Sequence, residues 1–424
     1  MITNIVGVIG TNFGDEGKGL MTDYFVHRFL NAGKSCVVIK HNGGSQAGHT
    51  VVTPDGTRHV FGHFGSGTLQ GVPTYFDRDF IVNPMTFVKE YKKLQELGHP
   101  PVCFVHPECR IQLPVDILIN QVAEAFRGEN KHGSCGMGIW ETVVRSQYFN
   151  LDFRVKMFQS VKPENYHEEF DKFLHYVFNP EQYLLDRMAQ LDIPVDDETR
   201  ALCMNENLWK NYKEDLAFML SHCVIATEVE VIHRFDSAVF ETGQGLLLDE
   251  DNTDYMPNLT PSKTGACNIM RFLRENLVGK AENVHVELCY VSRSYMTRHG
   301  VGMFPTECHK KYIVQNPEKL VDKTNVPNPY QDELRYGLLD VPNIVGRIMQ
   351  DFLTYSYIVP TWQIEWSMSI THMDETNGKV PSVMSGSLTN LIHRASKNAK
   401  IYTSNGETRK HIHRKSYIKF QRVR

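Results

Sequence analysis

Residues 10–25 read GTNFGDEGKGLMTDYF, with a lysine between two glycines and two acids just ahead of them. Glycine-rich turns that carry a lysine cradle phosphates, because their N–H groups and the next helix's N-terminus attract anions. The usual phosphate loop, G-x-x-x-x-G-K-[ST], ends on a hydroxyl that binds Mg²⁺. Here Asn12 replaces the first glycine, and Gly19 stands where the hydroxyl should be. The segment Gly14, Asp15, Glu16, Gly17, Lys18 and Gly19 is read as a nucleotide cradle, with Lys18 reaching a terminal phosphate. The acids then have a purpose. Asp15 either holds Mg²⁺ beside the phosphates or removes a proton from a substrate held there.

A second stretch, HNGGSQAGHT (41–50), offers Gln46, Gly48, His49 and Thr50. Following a strand, it would lie at the carboxyl edge of a sheet, where open α/β sheets bind ligands. A cationic His49 beside phosphate would stabilise charge building on a transferring phosphoryl group.

These loops need elements to hold them. NIVGVI (4–9) is short, apolar and β-branched and predicts a buried strand. Met21, Phe25 and Phe29, with Val26 and Leu30 alongside, predict a helix, and SCVVIK (35–40) a second strand. Strand, glycine loop, helix and strand make a βαβ unit. Residues 50–61 predict a hairpin turning at Pro54-Asp55-Gly56, and 114–128 a helix. Residues 151–222 predict a mostly helical insertion, with Phe170, Phe173, Leu174 and Val177 on one stripe. SAVFE (237–241) predicts a strand feeding a second glycine loop, TGQG; 284–291 and 366–370 predict further strands. The expected fold is α/β: one domain over 1–424, a large, mainly parallel sheet flanked by helices, with a P-loop-like nucleotide site and the helical insertion.

Composition narrows the classes. A formal net charge of −4 over 424 residues argues against a nucleic-acid partner bound through a broad basic face. No apolar run approaches the ~20 residues of a membrane helix, so no membrane partner is expected. The start, MITNIVGVIG, shows no signal peptide, and nine cysteines without a CxxC pair read as reduced thiols of a cytoplasmic protein. The basic tail RKHIHRKSYIKFQRVR reads as a packed terminal strand or helix with solvated charges.

Four motifs in order carry a resemblance: GTNFGDEGKG, NGGSQAGHT, ETGQGLLLD (241–249) and TRHGVGMFPTE (297–307). Together they resemble adenylosuccinate synthetase, a ligase of purine biosynthesis that couples GTP hydrolysis to joining L-aspartate to IMP. The resemblance implies a homodimer and one Mg²⁺ per subunit. It implies that Asp15 is the base at purine N1, and that His49 is the acid stabilising charge at O6. Asp15 and the Gly48 carbonyl would hold the metal. The purine monophosphate would meet Asp15, Lys18, Gln46, His49, Ser134, Cys135, Arg145, Gln244 and Thr260. The triphosphate's base would meet His372, Asp374, Ser404 and Gly406, and L-aspartate would meet Arg298 and Arg335.

Three stretches depart from the family pattern. Ser134 and Cys135 replace two threonines; Arg145 is either an arginine lent across the dimer or a solvated helix residue. In 322–340 only Arg335 remains of an arginine run, either for aspartate or paired with Asp332 or Glu333. In THMDE, His372 replaces a lysine. Two changes of substrate stay open: GMP or dGMP for IMP, and ATP or dATP for GTP. So do two other classes, a GTPase-like switch and a non-catalytic nucleotide-binding relative.

Overall fold

The computed structural model describes residues 1–280, 283–325, 333–356, 362–397 and 399–423. Its centre is a ten-stranded sheet. Numbered along the chain, the strands are β1 (Asn4–Gly10), β2 (Cys36–Lys40), β3 (Thr74–Phe76), β4 (Cys103–Val105) and β5 (Cys223–Ile225). They continue as β6 (Ser237–Gly245), β7 (His285–Arg293), β8 (Gln363–Thr371), β9 (Lys400–Ser404) and β10 (Ile412–Arg414). Across the sheet the order is β10-β9-β8-β7-β1-β6-β2-β3-β4-β5. The β9–β10 pair is antiparallel, and the other neighbours are parallel.

The predicted βαβ unit is present, with α1 (Lys18–Asn31) between β1 and β2. Its strands do not touch: β6 lies between them, parallel to both. Met21, Phe25, Val26 and Phe29 are buried under the sheet, whereas Leu30 is exposed, contrary to its place in the predicted stripe. The hairpin forms between His49–Val52 and Arg58–Phe61. The β6 strand runs on through Gly245 rather than ending at Glu241; a register shift opposite Val8–Gly10 accommodates the extra residues. The tail contributes the edge strand β10 and the short strand Lys419–Arg422.

Helices α2 (Pro84–Glu96), α3 (Pro114–Arg127) and α4 (Ile139–Gln147) follow β3 and β4. Residues 151–222 contain α5 (Tyr166–Tyr176), α6 (Pro180–Gln190), α7 (Asp197–Cys203) and α8 (Glu206–Ser221). Phe170 and Phe173 pack into one apolar core with Phe64, Phe76 and Phe87. Val177 falls just past the end of α5 and is exposed, so it leaves the predicted stripe. Among the described residues no helix is long and apolar enough to cross a membrane. The loops after β1, β2, β7, β8 and β9 leave the carboxyl edge of the parallel sheet, where β6 also ends, and that edge carries the site.

Candidate active site

The opening loop is held by its own acids and by its neighbours. Glu16 turns inward. Its Oε1 accepts from Asn12 N at 2.6 Å and Thr11 Oγ1 at 3.2 Å. Burial pushes the Glu16 carboxyl up to about 7, against the pull of Lys18. Its side chain therefore braces the loop, and only its backbone can serve the nucleotide role expected of it. Thr371 Oγ1, at the end of β8, donates to the Glu16 carbonyl at 2.8 Å. Gly17 permits that approach: its φ is 86°, and an added Cβ would lie 2.9 Å from Thr371. Gly19 packs α1 onto the hairpin, where a Cβ would lie 2.8 Å from the Thr50 carbonyl. No side chain caps the N-terminus of α1, so its first N–H groups can meet an anion.

Asp15 stands at the turn of this loop in the left-handed region, φ 55°, which costs a non-glycine residue energy. Arg293 Nε donates to its carbonyl, and Arg293 Nη2 pairs with Asp322 at 2.7 Å. This buried guanidinium ties the Asp15 loop to the 322–325 segment. Gln244 lies opposite, also left-handed, with φ 63°.

His49 is buried, and its Nδ1 lies 2.7 Å from Glu241 Oε1. The carboxylate is the acceptor, so Nδ1 carries the proton in this arrangement. Burial would push the Glu241 carboxyl up; the Lys40 ammonium at 3.8 Å, His49 and Ser66 outweigh it and hold it well below the usual range. Burial also pushes His49 down to about 4. The expected cation is thus a neutral imidazole here. Protonation would need added negative charge beside it.

Asp15, Lys18, Gln46, Gly48, His49, Gln244 and Thr260 line one cavity of about 670 Å³. Gly14, Ser134, Cys135 and Arg298 line it too. Lys18 is itself buried, and desolvation lowers its ammonium below the ordinary lysine value. The cavity therefore collects residues from widely separated stretches of the chain into one place.

Two expected residues lie elsewhere, and a third, Arg298, is engaged in the cavity wall. Arg145 is fully buried and chelates Asp116 at 2.9 and 3.0 Å, with further bonds to the Ile111 and Leu151 carbonyls. It is neither solvated nor available to another subunit, which corrects both expectations. Arg335 pairs with Glu307 and donates to the Gly300 and Gly302 carbonyls at 3.1 and 2.8 Å. It does not pair with Glu333, and Asp332 lies outside the described residues; each of its three donor nitrogens bonds a protein group, so it is not placed for aspartate. Arg298 lies over the Phe13 ring at 4.4 Å and donates to the Val301 and Met303 carbonyls. Burial, aided by neighbouring Arg335, lowers it to about 10.

Thr50 bonds Thr324 Oγ1 at 2.6 Å, joining the hairpin to the 322–325 segment. Asp374 is exposed past the end of β8. Met373 N donates to the Ser404 carbonyl at 3.0 Å, and Ser404 Oγ to the Gly406 carbonyl at 2.5 Å. The residues expected around the triphosphate's base therefore do come together, at the ends of β8 and β9. His372, however, turns its Nδ1 onto Thr371 Oγ1 at 2.8 Å.

Sequence reasoning missed Glu241, Ser66, Lys40 and Arg293. Glu241 heads the quoted ETGQG motif, and an acid inside a strand that is otherwise apolar was the available clue.

The donor set fits Mg²⁺ that arrives with phosphate. Among the described residues no group of three or more His, Cys, Asp or Glu could hold a metal alone. Mg²⁺ typically takes one or two carboxylates, phosphate oxygens and waters instead. The Asp15 carboxylate and the Gly48 carbonyl are hard oxygen donors in the same cavity.

The family model for adenylosuccinate synthetase matches residues 7–347. The chain is 31% identical over 315 residues to adenylosuccinate synthetase of Mesoplasma florum, covering 72% of this chain and 65% of that protein. It is 31% identical over 316 residues to that of Azotobacter vinelandii, with the same coverages of 72% and 65%. The match thus spans slightly less than two thirds of these relatives. Among solved structures, fully ligated adenylosuccinate synthetase from Plasmodium falciparum aligns with a TM-score of 0.66 at 16% identity, covering 97% of this chain and 100% of the other. Cyanophage S-2L succinoaminodeoxyadenylate synthetase, bound to dGMP and dATP, aligns at 0.56 and 12% identity, covering 98% and 96%. These two likenesses show the same fold.

Proposed function

The chain belongs to the adenylosuccinate synthetase family, and we propose that it joins L-aspartate to C6 of IMP with hydrolysis of GTP. One observation carries the reading. Asp15, Lys18, His49, Gln46 and Gln244 line a single cavity, although they come from three separated stretches of chain.

Each residue has a task that its chemistry suits. A purine O6 is a poor leaving group until phosphorylated. Asp15 takes the N1 proton, which makes O6 a nucleophile toward the γ-phosphate. The N–H groups of the 14–19 loop hold the phosphates, and Lys18 meets their charge. His49, backed by Glu241, gains a proton as negative charge arrives and stabilises the oxygen at the reacting centre. The amine of aspartate then displaces phosphate from C6. Mg²⁺ held by Asp15, Gly48 and phosphate oxygens would neutralise charge on the γ-phosphate. Asp374 can accept from the N1–H and amino group of guanine, which supports GTP as donor. Ser134 and Thr260 supply hydroxyls for the 5′-phosphate. Arg298 serves the aspartate carboxylates; Arg335 is left out because Glu307 already holds it. A homodimer belongs to this reading, and sedimentation tests it.

A second reading, the same chemistry on GMP or dGMP with ATP or dATP, has one observation in its favour. His372, which stands where the family pattern has a lysine, engages Thr371 through Nδ1, and an imidazole reaches less far than a lysine ammonium. One assay separates the two: IMP, GMP and dGMP against GTP, ATP and dATP, with aspartate and mass spectrometry of the product. Adenylosuccinate from IMP and GTP alone supports the first. A 2-amino product supports the second, and no product in any well rejects both.

A further inference from the structure

The cavity that contains Asp15 and His49 also reaches the last turn of α3 and the loop after it, where Asn120, Glu124, Arg127 and His132 line it. Glu124 organises this end. Its Oε2 accepts from Gly133 N at 2.8 Å and Ser134 N at 3.4 Å, and its Oε1 from Arg127 Nη1 at 2.7 Å. The guanidinium and the loop carrying Ser134 thus share one carboxylate. Asn258 Nδ2 donates to the His132 carbonyl at 2.8 Å, which ties the segment bearing Thr260 to the same loop. Arg127 and the Ser134 loop are thus joined through Glu124, and Thr260 lines the same cavity two residues beyond Asn258.

The other cations lining the cavity are already committed. Arg187 grips Glu141 at 2.6 and 3.1 Å and reaches Gln190 at 3.3 Å. Arg298 bonds the Val301 and Met303 carbonyls through Nε and Nη1, and its remaining Nη2 is the donor assigned above to the aspartate carboxylates. Lys18 belongs to the opening loop. Arg145 does not reach the cavity at all. Among the described residues, Arg127 bonds through Nη1, and a guanidinium has five N–H donors in a fixed fork. Glu124 holds the fork still while the remaining donors stay available to a dianion. The charge of Glu124 does not repel that anion unopposed, because Arg127 and the loop N–H groups already meet it.

We propose that Arg127 binds the 5′-phosphate of the purine monophosphate, in the same subunit as Ser134 and Thr260. This deepens the purine-monophosphate reading above and rests on it. The residue is a binding determinant and takes no part in the chemical step.

The test is calorimetric binding of IMP, GMP and dGMP, and of their nucleosides, to the full-length protein, its Arg127→Ala and Arg127→Lys variants. Loss of a charge-assisted pair weakens binding roughly tenfold to hundredfold. The alanine variant should lose that much affinity for the monophosphate and none for the nucleoside, and the lysine variant should recover part. Arg127→Gln gives the same comparison should the alanine variant unfold. At IMP concentrations too low to saturate Arg127→Ala, mixing it with Asp15→Asn subunits should raise activity no further than the Arg127→Ala subunits alone give, since Asp15 and Arg127 of one site belong to the same chain. Equal losses for monophosphate and nucleoside, unchanged monophosphate affinity, or activity recovered on mixing would each overturn the proposal. Wild-type protein that binds none of the three monophosphates would instead bring down the reading it rests on.

Discussion

His49 Nδ1 and Glu241 Oε1 lie 2.7 Å apart, across 192 positions of sequence. Glu241 also accepts from Ser66 N at 3.0 Å and from the Ser66 hydroxyl, so its carboxylate is held on several sides. The imidazole is therefore oriented before any substrate arrives, with its Nε2 side left for the cavity it lines. Glu241→Gln keeps the shape and loses the charge that would support a protonated His49. The expected outcome is a fall in kcat on the order of 10²-fold or more, with the KM for the triphosphate little changed. Steady-state kinetics on the folded variant checks it, and an unchanged kcat would separate Glu241 from the chemistry.

Asp15→Asn should remove the base while leaving the nucleotide cradle intact. Arg293 and Thr371 grip the loop through backbone carbonyls of residues 15 and 16, which the substitution preserves. Turnover should drop by at least the 10²–10⁴-fold of a typical general base, while triphosphate binding measured by calorimetry persists. Retained turnover would remove the role assigned to Asp15.

Arg145→Met tests its reassignment from a lent arginine to an internal one. The change strands Asp116 in the interior without its cation, at a cost of about 3–5 kcal/mol. Urea unfolding should show the loss directly. A solvated arginine would have cost within about 0.5 kcal/mol.

Two buried histidines outside the proposed chemistry predict acid sensitivity. Burial pushes His41 and His63 down from 6.5 to about 3. Both fold as neutral imidazoles, while the unfolded chain takes up protons below 6.5. The stability they contribute is present above that pH and is lost as pH falls from 6.5 toward 3, at up to about 1.4 kcal/mol per unit for each. His63 packs among Phe64, Phe76, Phe80 and Phe87, so His63→Phe should flatten this slope. Urea midpoints between pH 8 and 5 measure it; a slope unchanged in the variant would clear His63 of the effect.

The parts of this architecture that local chemistry specifies were legible in the sequence. A β-branched run, a glycine loop and a four-residue apolar stripe announce β1, the cradle and α1 without reference to anything distant. The motif residues around the cavity were legible for the same reason, because short spacing sets which N–H groups and side chains face outward together. What escaped depends on partners remote in sequence. Nothing near Arg145 says that Asp116 will close around it, and nothing near Arg335 says that Glu307 will claim it. The insertion of β6 between β1 and β2 is a property of the whole sheet order. It is also what brings Glu241 to His49.

The most direct test of the central claim follows one oxygen atom. IMP carrying ¹⁸O at position 6 is turned over with GTP and aspartate, and the released phosphate is weighed by mass spectrometry. If the purine oxygen attacks the γ-phosphate between the 14–19 loop and His49, the label must leave with phosphate, one ¹⁸O for each product formed. Product accompanied by unlabelled phosphate would mean that the triphosphate is hydrolysed separately, and would contradict the account.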